Sequence, residues 1–190
     1  MFNFTDPGTG LPEAVTGFAA SDITVTGGTP GALTGSGASY SMVVTPPANS
    51  TGTISVDVAA GAATSTTSGL GNTDATAATQ AFDTAPPASV TSIALNPSSD
   101  SAPTGDNQTT DTTPTLTLTL NGLLGSDTIR VYLDGSSTPL VGTPSGTGTT
   151  VDFTPTGAIA AGSHSFSASA IDAAGNVSPL LPSPYTLLIL

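Results

Sequence analysis

Cysteine, tryptophan and lysine are absent from this chain, whose 190 residues include one arginine, Arg130, and one histidine, His164. Without cysteine there are no disulfides and no thiol chemistry. Without lysine no Lys–Asn isopeptide cross-link can form. Thirteen acids, twelve of them Asp, stand against the single base and leave a formal charge of −12. That balance excludes nucleic acid and anionic membrane as electrostatic partners. Such a surface repels itself unless cations screen it, which fits a saline or calcium-rich exterior better than cytoplasm. No stretch approaches the ~20 apolar residues of a membrane span. No basic segment followed by an apolar core marks a signal peptide. The chain therefore reads as an extracellular mature product or as an internal segment of a longer one.

The residues that carry chemistry are equally sparse. A histidine acting as general base needs a nucleophile and an orienting group, and a histidine binding a transition metal needs companion ligands. No such partner can be named for His164, which reads as a strand-entry residue at a rim. Arg130 reads as a weak surface ion pair or an exposed side chain. No helical pattern follows Gly146-Thr147-Gly148, so it is not a phosphate loop. The expectation is a protein that is not an enzyme.

What is present is short alternation between turn signals. Leu, Ile, Val and Phe make up 40 of the 190 residues, close to the compositional boundary of disorder, so periodicity has to decide for folding. Phe2-Asn3-Phe4-Thr5 places two aromatics on one face. Ile23 and Val25 alternate with polar residues up to Gly27-Gly28, Tyr40, Met42 and Val44 alternate up to Pro46-Pro47, and Ile54, Val56 and Val58 alternate between Gly52 and Gly61. A shorter strand is expected around Ala32-Leu33, a Ser/Thr/Gly loop over 64–73, and a last strand from Ala77 to Phe82. Pro86-Pro87 then makes a stiff extended joint. Beyond it Val90, Ile93 and Leu95 form a looser strand, and residues 96–113 form a polar loop. Leu116, Leu118 and Leu120 give the cleanest period of two in the chain. Ile129, Val131 and Leu133 follow, then a turn at Asp134-Gly135 and a return strand at Leu140-Val141. Val151 and Phe153, the run from His164 to Asp172, and Tyr185 to Leu190 complete the set. No window carries a 3.6-residue period. Turn signals about every 8–12 residues predict all-β structure, two tandem antiparallel sandwiches over 1–85 and 86–190 with one core each.

The run Ala14-Val15-Thr16-Gly17-Phe18 through Asp22-Ile23-Thr24-Val25-Thr26-Gly27-Gly28, and Gly52-Thr53-Ile54-Ser55-Val56-Asp57-Val58-Ala59-Ala60-Gly61, resemble the bacterial Ig-like domains of very large surface adhesins. The second half resembles a sister type through Asp111-Thr112-Thr113-Pro114-Thr115-Leu116 and Gly162-Ser163-His164 through Ala173-Ala174-Gly175-Asn176-Val177-Ser178. The resemblance implies a tandem extender or filament subunit at the cell surface, rigid modules in series that hold a binding tip away from the cell. It also implies calcium near the joint. Carried onto this chain, the calcium residues are Asp100, Asp106, Asp111, Asp172 and Asn176, with Asp83 of the joint beside them if the two loops lie at one end. Calcium takes six to eight oxygen ligands. The competing reading of the same residues is a set of turn-forming loop aspartates. In the first half the loop after Thr64 reads Ser65-Thr66-Thr67-Ser68-Gly69 where the family has Asp-Ala-Ala-Gly-Asn, so no matching site is expected there.

Two further expectations concern partners. The second half counts as seven strands. The first half begins at what resembles the family's second strand, so its first strand is missing, and adjoining chain or an identical subunit is expected to complete it by β-strand addition. The alternative function is a carbohydrate-binding or accessory module of a secreted enzyme, against which stands the shortage of aromatics, three Tyr and six Phe. Asn3, Asn49, Asn107 and Asn176 head glycosylation sequons, so a glycan is a possible addition.

Overall fold

The computed structural model describes all 190 residues. The chain forms two compact units, Met1–Ala85 and Pro86–Leu190. Its one helical element is a single turn at Ala20–Asp22, so no helix is long and apolar enough to cross a membrane.

The first unit is built from short pieces: β1 (Phe2–Asn3), β2 (Val15–Thr16), β3 (Ile23–Thr26), β4 (Thr29–Pro30), β5 (Thr34–Ser36), β6 (Ser39–Ser41), β7 (Val44–Thr45), β8 (Thr51–Val58), β9 (Thr64–Ser65) and β10 (Ala78–Asp83). They assemble as β1-β6-β5, β10-β8-β3 and the pairs β2-β9 and β4-β7. Ile23 stands opposite Val58 and Val25 opposite Val56, so the alternating apolar residues of β3 and β8 share one face. The core beneath them is small. Val15, Phe18, Val58 and Ala63 are buried, with Phe2, Phe4, Ile23, Leu33, Tyr40 and Ala62 half-buried around them. Phe18 is the hub, with edge-on ring contacts to Phe2 at 5.6 Å, Phe4 at 5.1 Å and Tyr40 at 5.1 Å, the arrangement aromatic quadrupoles prefer. The Tyr40–Val44 alternation is not one strand. It breaks into β6 and β7, which pair with different partners, and Val43 between them is 75 % exposed. The strand expected around Ala32-Leu33 forms two residues later, as β5.

The second unit contains β11 (Val90–Leu95), β12 (Gln108–Thr109), β13 (Leu116–Leu120), β14 (Thr128–Leu133), β15 (Gly142–Ser145), β16 (Thr150–Pro155), β17 (Gly162–Ile171) and β18 (Tyr185–Ile189). Two four-stranded sheets, β11-β13-β16-β15 and β12-β18-β17-β14, enclose one core. Leu116, Leu118, Val131, Phe166, Ala168, Ala170 and Leu187 are fully buried, as the period of two requires. The strand count is eight, not seven. The extra strand, β12, lies inside the expected polar loop and runs parallel to β18, the one departure from antiparallel pairing. The return strand is β15 rather than Leu140-Val141: β15 pairs with β16, while Leu140 contributes a single amide bond back to the Val131 carbonyl of β14.

Each unit takes the chain in at one pole and releases it at the other. In the first, Phe2 packs with the cluster around Val58, while Asp83 pairs with Thr51 at the opposite end of β8. Eight residues of strand separate the two by about 24 Å. In the second, entry is fixed by Val90 opposite Leu120 and by the Ser89 amide on Asn121 Oδ1 at 2.9 Å. The chain leaves beyond the far end of β13. There the Asn96 amide bonds to the Thr115 carbonyl, the Thr109 hydroxyl to the Ser99 carbonyl, and the Leu190 amide to the Thr109 carbonyl.

Candidate functional site

The five residues of the second unit expected around calcium, Asp100, Asp106, Asp111, Asp172 and Asn176, do not meet. Gly162 of β17 lies opposite Ile189 at the exit pole, and ten residues of strand carry the chain back to Ile171 opposite Thr128, at the entry pole. Asp172 and Asn176, which follow β17, are therefore about 30 Å from the loop that holds Asp100, Asp106 and Asp111. This corrects the expectation that the two loops share an end. Asp83 belongs to the first unit, where it ends β10 and accepts the Ala85 amide at 2.9 Å.

Most of these side chains act locally. Asp172 Oδ1 accepts the Asn176 amide and Oδ2 the Asn176 side-chain amide, both at 2.8 Å. The Asn176 side-chain bond, with the backbone amides of the turn, holds the Asp172 carboxyl below its ordinary value. Asp106 accepts the amide and the side chain of Gln108. Asp111 accepts the Ser99 hydroxyl at 2.8 Å on Oδ2, and the amide and hydroxyl of Thr113 on Oδ1. Burial pushes Asp111 up, but these donors outweigh it and the carboxyl lies below its ordinary value. Asp100 differs. Oδ2 accepts the Gly105 amide at 2.8 Å, and Oδ1 is buried with no hydrogen-bond partner. No three acidic or histidine side chains converge closely enough to hold an ion together. The five residues of the second unit, split between its two poles, do not fit a single calcium ion.

The exit pole is tied together by Tyr185. Its hydroxyl accepts the Leu95 amide at 3.2 Å and donates to Asn107 Oδ1 at 2.8 Å, linking β11, β18 and the loop before β12. Burial raises the Tyr185 hydroxyl above its ordinary value.

His164 has a partner that lies 30 positions away in sequence. Its Nδ1 meets Asp134 Oδ2 at 2.8 Å, and its Nε2 meets the Ala160 carbonyl at 3.0 Å. Asp134 Oδ1 also accepts the Ser165 amide, so the turn at Asp134-Gly135 is clamped to the start of β17. Both ring nitrogens face acceptors, so the imidazolium suits the site and no lone pair remains for a general base. The Asp134 hydrogen bond raises His164 above its ordinary value. The Ser165 amide, followed by His164, holds Asp134 below its own. The histidine contribution is complete below the unfolded imidazole value near ~6.5 and is lost as pH rises through the raised folded value. The Asp134 contribution is present above the unfolded carboxylate value and is lost as pH falls through the lowered one. The second unit should therefore be most stable in mildly acidic solution and lose no more than about 1 kcal/mol as pH rises through the raised histidine value, a modest figure because the Asp134 side chain is 49 % exposed. Thermal melts across that range should show the fall in wild type, and it should vanish in His164→Gln.

A family model described as a bacterial Ig-like domain matches residues 9–85, and a second model with the same description matches residues 87–187. No curated protein matches the chain. The two matches take up nearly all of it and coincide with two sandwich-forming units of antiparallel sheets, so the chain belongs to the bacterial Ig-like domains, two of them in tandem.

Proposed function

We propose that the chain is an extracellular extender, a tandem Ig-like module of a bacterial surface protein that carries adhesive or filament-forming chain away from the cell. The observation that carries this is the pole-to-pole path through each unit. A module threaded in this way adds its own length to whatever is joined at its two ends, whereas one with adjacent termini would add little. Only residues 84–89 separate β10 from β11, and Pro86-Pro87 restricts that linker. The acid-rich, lysine-free surface suits the exterior. Head-to-tail concatemers of one, two, four and six copies test the reading. Electron microscopy should show contour length rising by a constant increment per copy, and a length that saturates would remove it.

Two details belong to the same proposal. β1 lies at the edge of its sheet, paired with β6 alone, so a strand from adjoining chain or a neighbouring subunit can add there. Calcium in this proposal sits at the exit-pole loop, centred on the unpartnered Asp100 Oδ1. An ion at 100 times its dissociation constant would add about 2.7 kcal/mol to the second unit. Melting of that unit should then rise in calcium relative to chelator, and equal melting would take calcium out of the proposal.

A further inference from the structure

Asn121-Gly122 is the one place in the chain where glycine follows asparagine. The pair lies between β13 and β14, directly after Leu120. The side-chain carbonyl carbon of an asparagine is open to attack by the backbone nitrogen of the next residue. Three things govern that attack: whether the nitrogen is free of other bonds, whether the next side chain crowds it, and whether a donor takes up the charge that develops on the oxygen. At Asn121 all three favour it. The Gly122 amide makes no hydrogen bond. Glycine has no Cβ to crowd the approach. The Ser89 amide donates to Asn121 Oδ1 at 2.9 Å, on the oxygen that turns negative as the carbon is attacked. Asn121 is exposed, so hydroxide and water reach it. Each of the other six asparagines lacks one of these conditions. The amides after Asn3, Asn49 and Asn107 are committed, Phe4 to the Ala38 carbonyl, Ser50 to Thr84 Oγ1 and Gln108 to Asp106 Oδ1. Asn96 precedes Pro97, which has no N–H. Asn72 and Asn176 precede the β-branched Thr73 and Val177. The related Asp134-Gly135 pair carries an ionised carboxylate, a poor electrophile, with its two oxygens bonded to His164 and Ser165.

We propose that Asn121 is a self-modifying site, converted in the folded protein to isoaspartate and aspartate. The deprotonated Gly122 nitrogen forms a bond to Asn121 Cγ, the Cγ–Nδ2 bond breaks, and ammonia leaves with the proton. The product is a five-membered succinimide. Water then adds to one of its two carbonyls. Opening at Cγ gives aspartate, and opening at the main-chain carbonyl gives isoaspartate. One water enters and one ammonia leaves, with no oxidant or reductant. Either product adds a carboxylate, negative at neutral pH. Isoaspartate also lengthens the main chain by one methylene and makes the carbonyl that serves Ser89 part of the backbone. Two bonds hold residue 89 to residue 121 in the unmodified chain, the Ser89 amide to Oδ1 and the Asn121 amide to the Ser89 carbonyl at 3.0 Å. The modification therefore acts on the tie that fixes the start of β11 to the end of β13. The inference stands on this turn and does not depend on the extender reading.

The test is incubation of the full folded chain at neutral and at mildly alkaline pH. Peptide mapping by tandem mass spectrometry follows the product over days, with enzymatic methylation of isoaspartate as a second readout. The expected result is product confined to residue 121, growing with first-order kinetics and faster at the alkaline pH. Gly122→Ala should slow it by at least about tenfold. That variant should still fold, because the added methyl group would meet only Ala88 Cβ, at 3.4 Å. Hydrogen exchange at the Ser89 amide should be faster in the isoaspartate fraction than in the fresh chain. Four outcomes overturn the proposal. The first is no product in the folded wild type, above all if the chain unfolded in urea does form it, since the fold would then hold the Gly122 nitrogen off Cγ. The others are product at Asn72 or Asn176 as fast as at Asn121, an undiminished rate in folded Gly122→Ala, and unchanged Ser89 exchange after conversion.

Discussion

Phe166→Ala should cost the second unit about 3–5 kcal/mol, a range set by the lost transfer energy of the ring and by the cavity left behind. Phe166 is fully buried on β17, next to the edge strand β14 on one side and β18 on the other, and its Cα lies opposite Leu133 and Tyr185. Its face meets Leu116, Leu118, Val151 and Phe153 of the other sheet within one continuous cluster. Few domains of this size hold more than 5–15 kcal/mol in total, so the substitution removes a large share. The first unit should keep its own melting transition, since its core is a separate cluster around Phe18. Calorimetry should thus show two transitions in wild type, with only the second-unit transition displaced in Phe166→Ala. Displacement of both by the same amount would show that the two units unfold as one.

The second unit was more legible in the sequence than the first, and particular residues show why. Leu116, Leu118 and Leu120 repeat every two residues with threonines between them, and that pattern states both the strand and its buried face. Gln108-Thr109 carries no such pattern. It becomes β12 only because β18 offers an unpaired edge, a tertiary fact that local residues do not encode. In the first unit the Tyr40–Val44 alternation has the right period, yet it serves two sheets in turn, with Val43 turned to solvent at the switch. The candidate sites were less legible still. Asp100 and Asp172 could be counted from composition, but the pole each occupies follows from the direction of β17, which requires the topology. Asp134 and His164 meet across a strand pairing that only the register reveals. Alternation signals burial well. It does not signal which loops become neighbours.

Gly27→Ala is expected to cost the first unit about 2–4 kcal/mol, enough to leave it largely unfolded given how little it buries. Gly27 directly follows β3 at a φ of +75°, a backbone region that side chains rarely adopt. A methyl group there would also meet the carbonyl oxygen of Thr53, with the carbonyl carbon at 3.1 Å and the Ile54 Cα at 3.4 Å. All three atoms are backbone of β8, the central strand of β10-β8-β3, so no rotamer change can relieve the overlap. Relief requires β8 to move away from β3 and to disturb Ile54 and Val58, two of the few buried apolar residues in the unit. Gly37 provides the comparison. It has a similar φ of +69°, but a methyl group there would meet nothing within 4 Å. Gly37→Ala should therefore carry only the conformational cost of a left-handed residue, about 1–2 kcal/mol. The difference between the two variants isolates the clash with β8. Urea unfolding of each, followed by the amide signals of β3 and β8, should show Gly27→Ala losing the first unit at markedly lower denaturant than Gly37→Ala while the second unit is unchanged in both. Equal midpoints for the two variants would mean that β8 yields at no cost, and that the close approach of Gly27 to Thr53 does not hold the sheet together.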